Sequence, residues 1–277
     1  MTEQRLSDFI PSPVLAVAAT YLDAGHETDV YICGAQLRAD NELELRFARG
    51  HRLTPGARIT IHLDNRTGVS EYDAQLRVYR LSYKGQVVRL DDNRVLVRPV
   101  EFQVFYGLSV VLEYQQSGYQ FPQDARPEQA LPPTPMTQLP DIDNDERDNK
   151  VGVLVTHAEQ QPHTTVMAFL STEADDIFFI TFPSTFKSAL LKRDNRCLFA
   201  IDNRATYAFE QAIEWNYSII SGHAFDVPKD TPLFRTVQEA FIAKNPWEVG
   251  FFSNPEVEMF HLRAEHLICP APRRRGE

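Results

Sequence analysis

Between Gln161 and Arg204 the apolar and β-branched residues fall into three compact runs: Thr165 to Leu170, Ile177 to Phe182 and Cys197 to Ile201. Runs of this length, bounded by polar residues, predict three buried strands. The pattern changes before the third. Ser184 or Thr185 stands where a helix N-cap belongs, Lys187 falls in the first turn, and Lys192 to Arg196 form a charged helix end. Ala174-Asp175-Asp176 reads as a hairpin turn. Further strands are expected at Lys150 to Thr156, Ile219 to Ala224 and Glu258 to Arg263. In the last, Met259, His261 and Arg263 alternate against Phe260 and Leu262, which predicts one polar face. A helix is expected from Pro232 to Lys244, capped at Asp230-Thr231, with Leu233, Val237, Ala240 and Phe241 as its buried stripe.

The N-terminal part, residues 1–116, carries shorter strand-like segments: VYICGAQLR, ELELRFA, ARITIHLD, AQLRVYRLSY, QVVRL and RVLVRPVEFQVFYG. Turn-formers such as Ala39-Asp40-Asn41 and Thr54-Pro55-Gly56 separate them, which suggests a small antiparallel β-barrel or sandwich. Residues 117–149 are rich in proline, glutamine and acids and lack apolar periodicity, so they read as a linker, either a tether or a strap over the following domain. Residues 150–268 form the second domain, and 269–277 read as a disordered tail. An internal echo links the two halves. Leu63-Asp64-Asn65-Arg66 and Ile201-Asp202-Asn203-Arg204 each close a strand, and S-x-x-G or S-G follows each about twenty residues later. The overall expectation is a mainly β chain with a few helices.

Composition narrows the function classes. The chain has 277 residues, 43% apolar and 24% charged, which suits two globular domains. A net charge of −10 disfavours nucleic acid as a general partner. No window approaches the ~20 apolar residues of a membrane helix. The N-terminus has acids and prolines where a signal peptide needs basic and then apolar residues, so the cytoplasm is the expected compartment. Three scattered cysteines, Cys33, Cys197 and Cys269, argue against a disulfide framework or a thiolate zinc site. No H-x-x-x-H, G-x-S-x-G, P-loop or dinucleotide glycine fingerprint is present.

The chemistry that remains is anion binding. Unpaired amides and the positive dipole end of a helix favour a phosphate, and a hydroxyl two residues before a lysine would add a neutral donor and a charge. Taken alone, Thr185-x-Lys187 also describes an ordinary capped surface helix with a solvated lysine.

The longer order is more specific. It runs from x-P-H-x-x through a strand, a polar turn, a strand ending in Thr, T-x-K opening a helix, and a strand ending I-D-N-R. EWNYSIISG, a helix and NPEVEMFHLRAEHL then follow. This order resembles the FMN-binding split barrels of the pyridoxamine 5'-phosphate oxidase-like superfamily. The resemblance implies that Thr185 and Lys187 hold the FMN phosphate and that Thr181 and Phe182 line its approach. It implies that Thr165, Val166 and Met167 run alongside the ring, and that Gln211 and Trp215 reach across a homodimer interface. Two departures stand out: His163 to Thr165 lack the oxidase's arginine, and Phe186-Lys187 replace a basic pair. The substrate signature of the oxidase is also absent.

The first domain is weakly similar to PilZ-type barrels, but Arg46, Arg49 and Arg52 and the Asp64 to Ser70 stretch have the wrong spacing. The function expected is that of an FMN-binding flavoprotein, an oxidoreductase passing electrons between flavin and a small substrate or NAD(P)H. The alternative is a non-catalytic flavin or nucleotide sensor. Haem or deazaflavin is the alternative cofactor.

Overall fold

The computed structural model describes residues 5–22, 27–48, 50–66, 76–121, 124–145, 147–202 and 217–268. The chain divides into two compact units. The first takes in Met1–Gln123, Gln160–Thr164 and Asp202–Tyr217, and the second Asp124–Glu159, Thr165–Ile201 and Ser218–Glu277. Antiparallel strands dominate both, so the chain is mainly β with few helices.

In the first unit the strands are β1 (Val14–Tyr21), β2 (Thr28–Leu37), β3 (Leu43–Arg46), β4 (Arg58–Asp64), β5 (Tyr79–Asp91), β6 (Arg94–Tyr106) and β7 (Ser109–Gln115). Their order is β3-β2-β1-β4-β5-β6-β7, and β3 also pairs with β6, so the first six close a barrel and β7 lies outside it. Closure removes the free edges that an open sheet would expose. Leu45, Ile59, Ile61, Leu63, Leu81, Tyr83, Val95 and Val97 fill the interior. The fully buried Tyr83 keeps its hydroxyl satisfied on the carbonyls of Asn41 and Val97, each 3.1 Å away. Asp64 closes β4 by accepting from the Arg66 amide at 3.0 Å and from the Arg66 guanidinium at 2.6 Å.

Two of these strands escape the sequence pattern. β1 is buried on both faces and contains three alanines, so it shows no alternation. β7 is mostly exposed and its polar and apolar residues do not alternate cleanly.

The second unit contains β8 (Val151–His157), β9 (Pro162–Ala168), β10 (Leu170–Ser171), β11 (Ile177–Thr181), β12 (Arg196–Asp202), β13 (Tyr217–Asp226) and β14 (Glu258–Ile268). Its helices are α1 (Phe186–Arg193), α2 (Pro232–Lys244) and α3 (Val249–Phe252). The sheet order is β10-β11-β14-β13-β12-β8-β9. β9 and β10 stand at opposite edges, yet Phe169 alone separates them in sequence. Two residue steps reach about 7 Å, so the sheet must curl until its edges nearly meet.

The two units share one topology. β1 pairs with β2 and β4, β4 with β5, β5 with β6, β6 with β3, and β3 with β2. The counterparts are β8 with β9 and β12, β12 with β13, β13 with β14, β14 with β11, and β11 with β10. The echo in sequence falls on this correspondence, because Asp64 ends β4 and Asp202 ends the equivalent β12. The register of β5 on β6 slips at Lys84/Gly85, and that of β13 on β14 slips at Ser221/Gly222.

Residues 124–145 run as a strap on the second unit. Leu131 packs on one apolar cluster, and Met136, Leu139 and Ile142 pack on another. The Gln129 amide donates to the Lys192 carbonyl at 2.8 Å and the Thr134 amide to the Asp226 carbonyl at 2.7 Å. The polar face expected on β14 is not found: Met259, Phe260, His261 and Leu262 are all buried. His261 tolerates burial because the Thr134 hydroxyl of the strap meets its Nδ1 at 2.7 Å.

Candidate functional site

The site expected from sequence lies where β11 turns into α1. Thr181 ends β11 opposite Glu258, the first residue of β14. Phe182 to Ser184 turn the chain, and Thr185, extended at φ −85° and ψ 146°, caps α1. Its hydroxyl donates to the Phe182 carbonyl at 2.8 Å and accepts from the Ser188 amide at 3.4 Å. The Thr181 and Thr185 hydroxyl oxygens lie 3.0 Å apart. Because Thr185 has spent its proton on Phe182, the Thr181 hydroxyl is the donor of that pair. The cap therefore sets the shape of the turn. Lys187 occupies the second helical position and is half-buried.

β9 approaches the same region through the core. Met167 shares a buried cluster with Phe169 and Phe179, while Ala168 and Phe182 pack on the cluster that holds Phe178 and Ile180. β9 and the β11–α1 turn thus adjoin through Ala168 and Phe182, which pack on one cluster. Thr165 and Val166 are half-buried and Met167 is buried. Gln211 and Trp215, like residues 269–277 of the expected tail, lie outside the described residues.

Three residues that the sequence reading passed over complete the turn. The Ser188 hydroxyl donates to Glu258 Oε2 and Lys192 Nζ to Glu258 Oε1, each at 2.6 Å. Nothing local in the sequence announces a bridge between residues seventy apart. Nearby, Asp226 has its carboxyl pushed up, first by burial and then by the charge of Glu258, with Lys192 and Lys229 opposing. Phe251 stacks on Phe182 with centroids 5.7 Å apart, and Phe251 and Trp247 remain 44% and 52% exposed.

A second polar group sits beneath the strap. Thr134 Oγ1 accepts from the Met136 amide at 3.1 Å and lies 2.7 Å from His261 Nδ1. The other ring nitrogen, Nε2, faces Asp176 Oδ1 at 3.2 Å. Nε2 is off the line of a hydrogen bond to Asp176, whose Oδ1 accepts from the Ala264 amide at 3.1 Å. Phe178 and Phe225 enclose the ring. The arrangement pins the strap to the sheet.

Among the described residues, no group of three or more His, Cys, Asp or Glu side chains could hold a metal ion. No helix among them is long and apolar enough to cross a membrane.

No family model and no curated protein matches the chain. Solved structures resemble part of it. HutZ, the heme storage protein from Vibrio cholerae, is 18% identical over 45% of this chain and 89% of its own, with a TM-score of 0.39. A putative pyridoxamine 5'-phosphate oxidase from Listeria innocua is 16% identical over 43% of this chain and 86% of its own, at 0.32. A FAD-binding protein from Mesorhizobium loti is 14% identical over 43% and 83% of the two chains, at 0.35.

Proposed function

We propose that the second unit binds FMN and that the protein is an oxidoreductase, passing electrons between the flavin and a small substrate or NAD(P)H. The observation that carries this reading is the β11–α1 turn. It presents the first amides of a capped eight-residue helix, with Lys187 in the first turn, at the end of the strand that shares its core with β9. That donor set fits a phosphate ester, which gains hydrogen bonds and charge attraction together. Lys187 and the first-turn amides would hold the phosphate, with Thr185 shaping the turn and Thr181 and Phe182 lining the approach. The backbone of Thr165, Val166 and Met167 would run along the ring. FMN, when bound, supplies reversible acceptance of a hydride or of single electrons. A soluble homodimer in the cytoplasm with the flavin at its subunit interface belongs to the same proposal.

The deciding experiment is a visible spectrum of the purified protein before and after FMN, followed by NADH or NADPH. A flavin spectrum that bleaches with a nicotinamide donor supports the reading. A flavin spectrum inert to both donors turns it to a sensor or carrier, a haem or deazaflavin spectrum replaces the cofactor, and no uptake rejects the site.

A further inference from the structure

We propose that Glu258 is a positioning residue for the ligand-binding turn, holding the first turn of α1 in the orientation that meets the phosphate. This rests on the FMN reading above. Four residues close a ring of contacts. Glu258 is in register with Thr181 across β14 and β11. Thr181 meets Thr185 through their hydroxyls at 3.0 Å, Thr185 caps the Ser188 amide, and the Ser188 hydroxyl returns to Glu258 at 2.6 Å. Lys192, one helical turn beyond Ser188, donates to the other carboxylate oxygen. A single carboxylate thus grips two successive turns of α1 from the sheet.

The grip is partly shielded from water. Ser188 is fully buried, and the Lys192 and Glu258 side chains are 22% and 23% exposed. A charged hydrogen bond in such a place holds its geometry more firmly than one on an open surface. Lys187 directly precedes Ser188, so any slide or roll of α1 that breaks the grip also displaces the Lys187 Cα and the first-turn amides. The carboxylate has an electrostatic cost as well, since it places a negative charge beside a turn meant for an anion. Lys192 offsets that charge. Glu258 therefore acts through geometry, and its charge by itself works against the ligand.

These two effects separate experimentally. Dissociation constants for FMN and for riboflavin, which lacks the phosphate, are measured by flavin fluorescence on the full-length wild type, Glu258→Ala, Glu258→Gln and Ser188→Ala. Loss of one charged hydrogen bond corresponds to about a tenfold change. Glu258→Ala and Ser188→Ala are expected to weaken FMN about tenfold and leave riboflavin unchanged. Glu258→Gln, which keeps an acceptor for Ser188 and removes the charge, is expected to bind FMN at least as well as the wild type. The proposal is overturned if Glu258→Ala binds FMN normally, if it loses both flavins equally, or if Glu258→Gln fails as badly as Glu258→Ala. A wild type that binds neither flavin overturns the FMN reading itself, and this inference with it.

Discussion

Gly85 and Gly222 occupy equivalent positions in the two units, each at the point where the register of its strand on the next slips by one residue. A Cβ at Gly85 would lie 2.4 Å from Val97 Cγ1 and 2.7 Å from the Arg98 carbonyl oxygen. One at Gly222 would lie 1.9 Å from the Arg263 carbonyl oxygen. The slip presses one strand's backbone onto its partner, and only a residue without a side chain fits there. Gly222→Ala should therefore cost about 2–3 kcal/mol, with Gly85→Ala nearer the lower end because its backbone contact, 2.7 Å against 1.9 Å, is the looser. Urea midpoints of the two variants test this. Wild-type stability in both would mean that the bulges relax freely.

Lys187→Ala should weaken FMN binding by about 1.5–3 kcal/mol, the range for a hydrogen bond to a charged group. An unchanged dissociation constant would move the phosphate elsewhere.

Thr134→Val removes the hydroxyl that satisfies the buried His261 Nδ1 while keeping the side-chain volume. The expected loss is about 1–3 kcal/mol, the cost of leaving a buried polar atom without its partner. The strap should also be cut faster by protease at residues 124–145. Equal proteolysis rates would show that apolar anchors alone hold it.

Asp194 sets an acid limit. Burial alone would raise its carboxyl, but hydrogen bonds and charge from Arg196, with His157 nearby, hold it at about 2. A depressed carboxyl contributes stability above its unfolded value of roughly 4 and loses it as pH falls through the folded value. Wild-type thermal stability should thus fall between about pH 4 and pH 2. Asp194→Asn should be less stable at pH 7 and flatter in that window. A slope as steep as that of the wild type would assign the acid transition to other carboxylates.

Asp226 should behave oppositely. Its carboxyl is pushed up by burial and by Glu258, so ionisation at neutral pH opposes folding and protonation relieves the opposition. Asp226→Asn should raise stability at pH 7, by less than about 1 kcal/mol since the group is half-exposed, and with it the melting temperature. The gain should shrink as pH falls and wild-type Asp226 takes up its proton. A variant less stable at pH 7 would contradict this.

Local sequence determined a good deal. The caps, expected at Ser184 or Thr185 and at Asp230-Thr231, the buried stripe of α2 and the strands of β11 and β12 were legible because each depends on neighbours within a few residues. The Asp-Asn-Arg echo was visible too, since Asp64 and Asp202 end equivalent strands. The strap was legible only in composition. Its anchors, Leu131, Met136, Leu139 and Ile142, are too widely spaced to form a period.

Tertiary structure decided the rest. His261 alternates along β14 like a solvent-facing residue, and Phe178, Phe225 and the strap crossing above it make its position buried. Whether the strand-like segments of residues 1–116 form a sandwich or a barrel depends on β3 meeting β6, a contact about fifty residues apart. The grip of Glu258 on Ser188 and Lys192 spans about seventy. Such pairings cost loop-closure entropy and are repaid only when the whole sheet forms, so no short window of sequence contains them. The amino-acid pattern by itself specified caps, strands and turns, while the curl of the sheets decided which distant residues meet.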